Sequence, residues 1–262
     1  MKKAILGMVA LMVAATSSCW GLGFLVTPPR FEFLLAPGQS QTYQVTVINI
    51  DSVNSVRLQA MMMDWSMKTS GQTAYFKPGT LDRSCSSWID VNPADFVVGP
   101  QATQDIRFTV KVPDSTFGSY HSMIFFESQP DTAPQAAIGV VMKAKVGTAI
   151  YVTIPGTEVR QAEFIGFSYQ RKGYLNHEFK LQVKNTGNVH LRPKGTLTIK
   201  NGGGATMATL PLNDEVILPQ SQRDLLVPLN QELAPGRYTA VINLDCGTPE
   251  LLQGETVFEV SK

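Results

Sequence analysis

From Ala137 to Pro155 the chain reads AIGVVMKAKVGTAIYVTIP. Its even positions are Ile138, Val140, Met142, Ala144, Val146, Thr148, Ile150, Val152 and Ile154, while Lys143, Lys145, Gly147, Tyr151 and Thr153 fall between them. A period of two places alternate side chains on opposite faces of an extended chain, so this pattern predicts a β-strand with one buried face. At roughly 3.3 Å per residue it would reach about 60 Å, well beyond the usual length of ~3–10 residues. An interruption is therefore expected, and Gly147 is where a bulge or bend is predicted. Pro155-Gly156 ends the pattern and begins a linker.

The same short period recurs on both sides. Before this stretch, alternating or apolar runs at Phe24–Leu35, Thr42–Asn49, Ser55–Met67, Ala74–Phe76, Trp88–Val91, Phe96–Val98, Ile106–Val112 and Tyr120–Glu127 predict strands, with a hairpin turn at Ser70-Gly71. After it, Phe164–Tyr169, Glu178–Asn185, Gly195–Lys200, Thr206–Leu212, Val216–Leu218, Asp224–Leu229, Arg237–Leu244 and Thr256–Val260 do the same. No helical period competes. Pro100-Gln101-Ala102-Thr103-Gln104-Asp105-Ile106 ahead of Gly118-Ser119-Tyr120 is echoed by Pro219-Gln220-Ser221-Gln222-Arg223-Asp224-Leu225 ahead of Gly236-Arg237-Tyr238. Tyr120 and Tyr238 each follow a glycine turn at the start of a penultimate strand, the place of the corner tyrosine in immunoglobulin-like sandwiches. The expected fold is all-β, with two tandem immunoglobulin-like β-sandwich domains over residues 24–155 and 156–262.

Composition narrows the class. The chain has 262 residues, 44% hydrophobic and 16% charged, with a formal net charge of +1. That length suits two domains, and scattered, balanced charge offers no footprint for nucleic acid or an anionic membrane. Lys2 and Lys3 precede the apolar run Ala4–Ala15, which is too short to span a bilayer and reads as a signal peptide over residues 1–23, with cleavage after Ser18, Gly21 or Gly23. Lipid attachment at Cys19 is the alternative, although Thr16 stands where such signals carry leucine. A periplasmic or other extracytoplasmic location follows. There, Cys85 and Cys246 are either a disulfide or two free, partly buried thiols.

Candidate chemistry is sparse. His121, His177 and His190 have no second ligand at metal spacing, so no metal or other cofactor is expected, and surface or hydrogen-bonded histidines are predicted. Ser84, Ser86 and Ser87 flank Cys85 without a nucleophile-elbow pattern or a sequence-adjacent base, so no catalytic residue is assigned. Gly202–Gly204 lacks the context of a phosphate loop. Asp90, Asp95 and Asp105 read as loop caps and solvated strand ends. In Met61–Met63 the outer two share a face opposite Met62, as packing or as an adaptable surface for protein partners. Trp65 and Trp88 are predicted at the core or its rim.

Thr27-Pro28-Pro29-Arg30-Phe31-Glu32-Phe33, Ser87-Trp88-Ile89, Asp95-Phe96-Val97-Val98-Gly99-Pro100 and Val140–Pro155 together resemble the first strand, tryptophan strand, phenylalanine–proline segment and final strand of periplasmic pilus-assembly chaperones, the PapD-like family. That resemblance implies a two-sandwich protein that lends its final strand to an incomplete subunit by β-augmentation. It also implies a basic pair for the subunit's terminal carboxylate. Arg30 matches the first member. Thr148 or Ala149 stands where the family has the second, and Lys143 and Lys145 are the nearest cations. The Phe117–Glu127 segment lacks the family's acidic–basic signature. Asn185-Thr186-Gly187-Asn188 and Pro235–Val241 are similar to two-domain surface proteins that accompany WxL-type wall proteins, for which a scaffold role is implied.

The resulting expectation is a non-catalytic protein that binds pilin-like or surface-protein subunits through Arg30, Ile138, Val140, Met142, Lys143 and Lys145, with no small-molecule substrate. The competing expectation is that the even face of the final strand packs the first domain's core and its lysines are solvated.

Overall fold

The computed structural model describes residues 23–129, 143–173 and 175–261. The signal-peptide reading, Cys19, Ile138, Val140 and Met142 lie outside the described residues. Among those described, no helix is long and apolar enough to cross a membrane.

The chain forms two β-sandwiches. The first contains β1 (Phe24–Thr27), β2 (Arg30–Leu34), β3 (Ser40–Asn49), β4 (Val56–Met67), β5 (Thr73–Phe76), β6 (Ile89–Asn92), β7 (Asp95–Val98), β8 (Thr103–Lys111), β9 (Ser119–Ser128) and β10 (Lys145–Thr153). One sheet runs β1-β3-β8-β6, and the other runs β2-β10-β9-β4-β5, with β7 also on β4. Alternate residues of each inner face, among them Val45, Val47, Ile106, Phe108, Ile124, Phe126, Ile150, Val152 and Ile154, make one buried core. The second sandwich contains β11 (Ala162–Arg171), β12 (His177–Asn185), β13 (Lys194–Asn201), β14 (Thr206–Pro211), β15 (Gln222–Leu229), β16 (Gly236–Asp245) and β17 (Leu252–Val260). Its sheets are β11-β12-β15 and β14-β13-β16-β17, around a core that includes Phe179, Leu181, Leu197, Ile199 and Ile242.

The internal echo is structural. Gln101 and Gln220 both adopt left-handed backbone, φ 51° and 56°. Asn49 and Asn185, each ending the strand that pairs with the one after this turn, are buried and use their amides alike. Asn49 Nδ2 donates to Val98 and Gly99 carbonyls at 3.1 and 2.9 Å, and Asn185 Nδ2 donates to Val189 and Ile217 carbonyls at 2.8 and 3.1 Å. The corner tyrosine is present once: Tyr238 Oη donates to the Ala234 carbonyl at 2.8 Å. Tyr120 instead packs its ring on Trp88, with centroids 4.4 Å apart.

Three strand expectations are corrected. Phe24–Leu35 is split, because Pro28 and Pro29 have no N–H to continue a ladder; β1 joins β3 in one sheet and β2 joins β10 in the other. Val216–Leu218 makes only a single bridge, Leu191 to Ile217. β10 is not interrupted at Gly147, and its register with β9 is unbroken from Lys145–Glu127 to Thr153–Ser119. The glycine is there because a Cβ at that position would lie 2.7 Å from the Phe125 ring and 2.9 Å from Met123 Sδ. Phe125, directly opposite in the ladder, lays its ring across β10.

Candidate functional site

β10 has an open half. Its partner on one side is β9 throughout, but β2 pairs with it, in parallel, only from Ala149–Arg30 onward. The Ala149 N–H donates to the Pro29 carbonyl at 3.0 Å, so Ala149 points its backbone groups toward β2. By the alternation of strand hydrogen bonding, Lys145 and Gly147 point theirs to the same side. No described strand lies there, because the Pro28-Pro29 crossover carries β1 into the other sheet. Thr148 Oγ1 donates to the Pro28 carbonyl at 2.8 Å and pins the crossover at the end of the gap. Among the described residues, the N–H and C=O groups of Lys145 and Gly147 therefore form an unpaired edge. Such an edge is a template for another strand.

The face beside this edge is partly apolar. Met61 and Met63 lie opposite Phe125 and Met123 in the β4–β9 ladder, while Met62 packs toward the core, as the sequence predicts. Tyr75 is exposed and meets the Phe125 ring edge-on at 5.1 Å. Lys145 lies over the same ring at 4.7 Å with its Nζ 3.0 Å from Met63 Sδ. Lys143 pairs with Glu127 at 3.0 Å. The even side chains of β10 do pack the core, as the competing expectation holds, but both described lysines are engaged with neighbours.

Arg30 is not brought together with Lys143 or Lys145. Its ladder partner Ala149 lies four steps along the strand from Lys145, roughly 13 Å at ~3.3 Å per residue. Its neighbours are ones the sequence did not suggest. Arg30 meets Asp214 at 2.6 Å and Glu32 at 3.3 Å. Arg192 meets Glu32 at 2.5 Å and Asp214 at 3.2 Å. Two residues from each sandwich thus close a ring of alternating charge at the mouth of a cleft of about 730 Å³ that Pro193, Lys194 and Leu212 also line. The His190 imidazole, 3.8 Å away, and the Arg192 guanidinium hold the Glu32 carboxyl down at about 2 against the cost of burial. The arginines of the cleft already have carboxylates.

Behind the ring lies a buried apolar seam. Trp65, Ala149, Tyr151, Val216 and Leu218 are buried together, with Met67 and Met123 against them. The Tyr151 ring has Trp65 at 5.9 Å, His190 at 4.6 Å and the Arg192 guanidinium at 5.1 Å. Val216 and Leu218 belong to the segment that does not form a strand; they pack against the other sandwich instead. Trp88 is in the first core and Trp65 in this seam, so both tryptophans are buried as expected.

Among the described residues, each histidine is engaged at one ring nitrogen only. His121 Nε2 donates to the Trp65 carbonyl at 3.0 Å, and His177 Nδ1 shares a hydrogen bond with the Tyr169 hydroxyl at 2.7 Å. Nδ1 of His121, Nδ1 of His190 and Nε2 of His177 are buried with no hydrogen-bond partner among the described residues. Burial pushes the His121 pKa down to about 4.

Ser84, Cys85, Ser86, Ser122 and His121 do converge in space, although His121 is distant in sequence. Both oxygens of buried Asp64 are engaged: Ser84 and Ser86 hydroxyls each donate to Oδ1 at 2.5 Å, and the Leu81 N–H donates to Oδ2 at 2.9 Å. The His121 ring turns away toward Trp65, and burial pushes the Cys85 thiol up to about 12. The network ties the loop before β6 to the sheet and supplies no activated nucleophile. Cys85 and Cys246 are free and buried, one in each core. Asp90 and Asp95 are exposed and pair across strands with Lys111 and Arg57 at 2.7 and 2.6 Å.

No family model and no curated protein matches the chain. Solved structures do. A chain of a chaperone–tip adhesin complex of CFA/I fimbriae biogenesis is 14% identical, covers 90% of this chain and 98% of its own, and superposes with a TM-score of 0.48. The E. coli chaperone DraB is 18% identical, with 92% and 96% covered and a TM-score of 0.45. The Salmonella enterica SafA pilin–SafB chaperone complex contains a chain 13% identical, with 91% and 97% covered and a TM-score of 0.43. In fold, the chain is similar to fimbrial chaperones.

Proposed function

We propose that the chain is an exported, non-catalytic chaperone-like protein that binds protein subunits by adding one of their strands to the open half of β10. The observation that carries this reading is the backbone of Lys145 and Gly147, unpaired among the described residues and left open where Pro28-Pro29 withdraws the first strand. Strand addition supplies affinity through main-chain bonds and specificity through side chains on alternate positions. Tyr75, Met63 and Lys145 offer such a surface beside the edge, over the buried Phe125 ring. In this reading Ile138, Val140 and Met142 continue the contact N-terminally, and Arg30 marks the point where β2 closes the edge. The signal-like N-terminus supports export, and in this reading the two sandwiches divide at Pro155-Gly156.

Lys145→Pro tests it. The substitution deletes an outward N–H and, by the same alternation, removes no bond to β9. The expected outcome is loss of the subunit that co-purifies with the unaltered protein, with the thermal transition unchanged. Undiminished co-purification from a folded variant would reject strand addition at this edge.

A further inference from the structure

The hairpin joining β4 to β5 reaches across to the second sandwich. Its tip is closed by Lys68 N–H to the Gln72 carbonyl and Gly71 N–H to the Lys68 carbonyl, both 2.9 Å. Among the described residues, one hydrogen bond ties it to the far side: the Asp224 N–H on β15 donates to the Thr69 carbonyl at 2.8 Å. Beneath the tip lies Arg223, 6% exposed. Its Nη2 pairs with Glu215, but Nε and Nη1 are buried with no acceptor among the described residues. Gly71 sits so closely on this guanidinium that a Cβ would fall 2.3 Å from Nη1.

Docking the tip therefore gains one backbone bond and leaves two donors of a charged side chain dry. An unmade bond of a buried donor costs more than an ordinary bond contributes, so lifting the tip, which rewets Arg223, is opposed only weakly. We propose that the Lys68–Gln72 tip is a strap with two positions, docked on Arg223 or lifted from it, that adjusts how firmly the second sandwich is held while the Tyr151 seam stays closed. This proposal is independent of what binds β10.

Amide hydrogen exchange on the intact chain reads the strap directly. The Asp224 N–H faces the strap, whereas by strand alternation the Leu225 N–H faces β12 and reports opening of the sandwich itself. Arg223→Met removes the dry donors and should slow Asp224 exchange at least tenfold, with Leu225 unchanged. Gly71→Ala should speed Asp224 exchange at least tenfold. Gly79→Ala is the control: its backbone is also left-handed, at φ +75° against +91° for Gly71, but with nothing within 4 Å of the added Cβ, and it should leave Asp224 as it is. The proposal is overturned if Arg223→Met leaves Asp224 exchange unchanged or faster, or if Gly71→Ala has no more effect than Gly79→Ala. It is equally overturned if Asp224 exchanges at the Leu225 rate in the unaltered protein. Should Arg223→Met fail to fold, the two glycine variants still decide.

Discussion

His121 is buried with one ring nitrogen bonded to a carbonyl and the other without a partner among the described residues, so the neutral ring suits the fold. Burial lowers its pKa from 6.5 to about 4. As pH falls below 6.5 the unfolded chain takes up this proton first, and stability drops until both states are protonated near pH 4. The difference is on the order of 3 kcal/mol at ~1.4 kcal/mol per unit. Glu32 acts over a lower window. Its pKa falls from 4.5 to about 2, so its contribution is complete above 4.5 and is lost as pH descends to 2. Urea unfolding of His121→Phe at a series of pH values should therefore show a flatter slope between pH 6.5 and 4, with the decline below 4.5 retained. An unchanged upper slope would mean that His121 is not the group responsible.

Gly147 decides the shape of the most informative element. Alternation alone predicts β10 as a strand and assigns its faces, and Ile150, Val152 and Ile154 are buried as that pattern requires. What alternation cannot express is a cross-strand contact, so the glycine reads as a break when it is a seat for Phe125. Gly147→Ala should cost about 1–3 kcal/mol by overpacking, and a Phe125→Leu background should recover most of it in a double-mutant cycle. Equal costs in both backgrounds would show that backbone freedom, not the ring, requires the glycine. Other features of the fold were legible for the same reason as β10: the Met61–Met63 faces, the repeated Pro-Gln turns and the all-β class are all set by neighbours along one strand or turn. The Pro28-Pro29 pair stood in plain view, yet its consequence, an open edge on a strand some 120 residues later, depends on tertiary pairing.

At the scale of the whole molecule, an ion-pair ring and an apolar seam are among the contacts that join the sandwiches, and their weights differ. The ring of Arg30, Glu32, Arg192 and Asp214 is largely solvated, and solvated ion pairs contribute ~1 kcal/mol or less. Burying an aromatic ring contributes more. Asp214→Asn should thus shift stability by under ~1 kcal/mol, whereas Tyr151→Ala should cost about 3–5 kcal/mol, both read from chemical denaturation. The reverse order would make the ring, not the seam, the principal joint. Arg192 and Asp214 were not legible as partners of Arg30, because ion pairs between domains leave no period or spacing in a sequence.

The central claim is that a partner's strand pairs with Lys145 and Gly147. Hydrogen exchange of these two amides, measured in the free chain and in its complex with the co-purifying subunit, tests it most directly. Strand addition predicts that both exchange as exposed groups in the free protein and become protected at least tenfold in the complex, while the neighbouring Val146 and Thr148 amides, facing β9, are protected in both. A complex in which Lys145 and Gly147 exchange at their free rates would contradict the account.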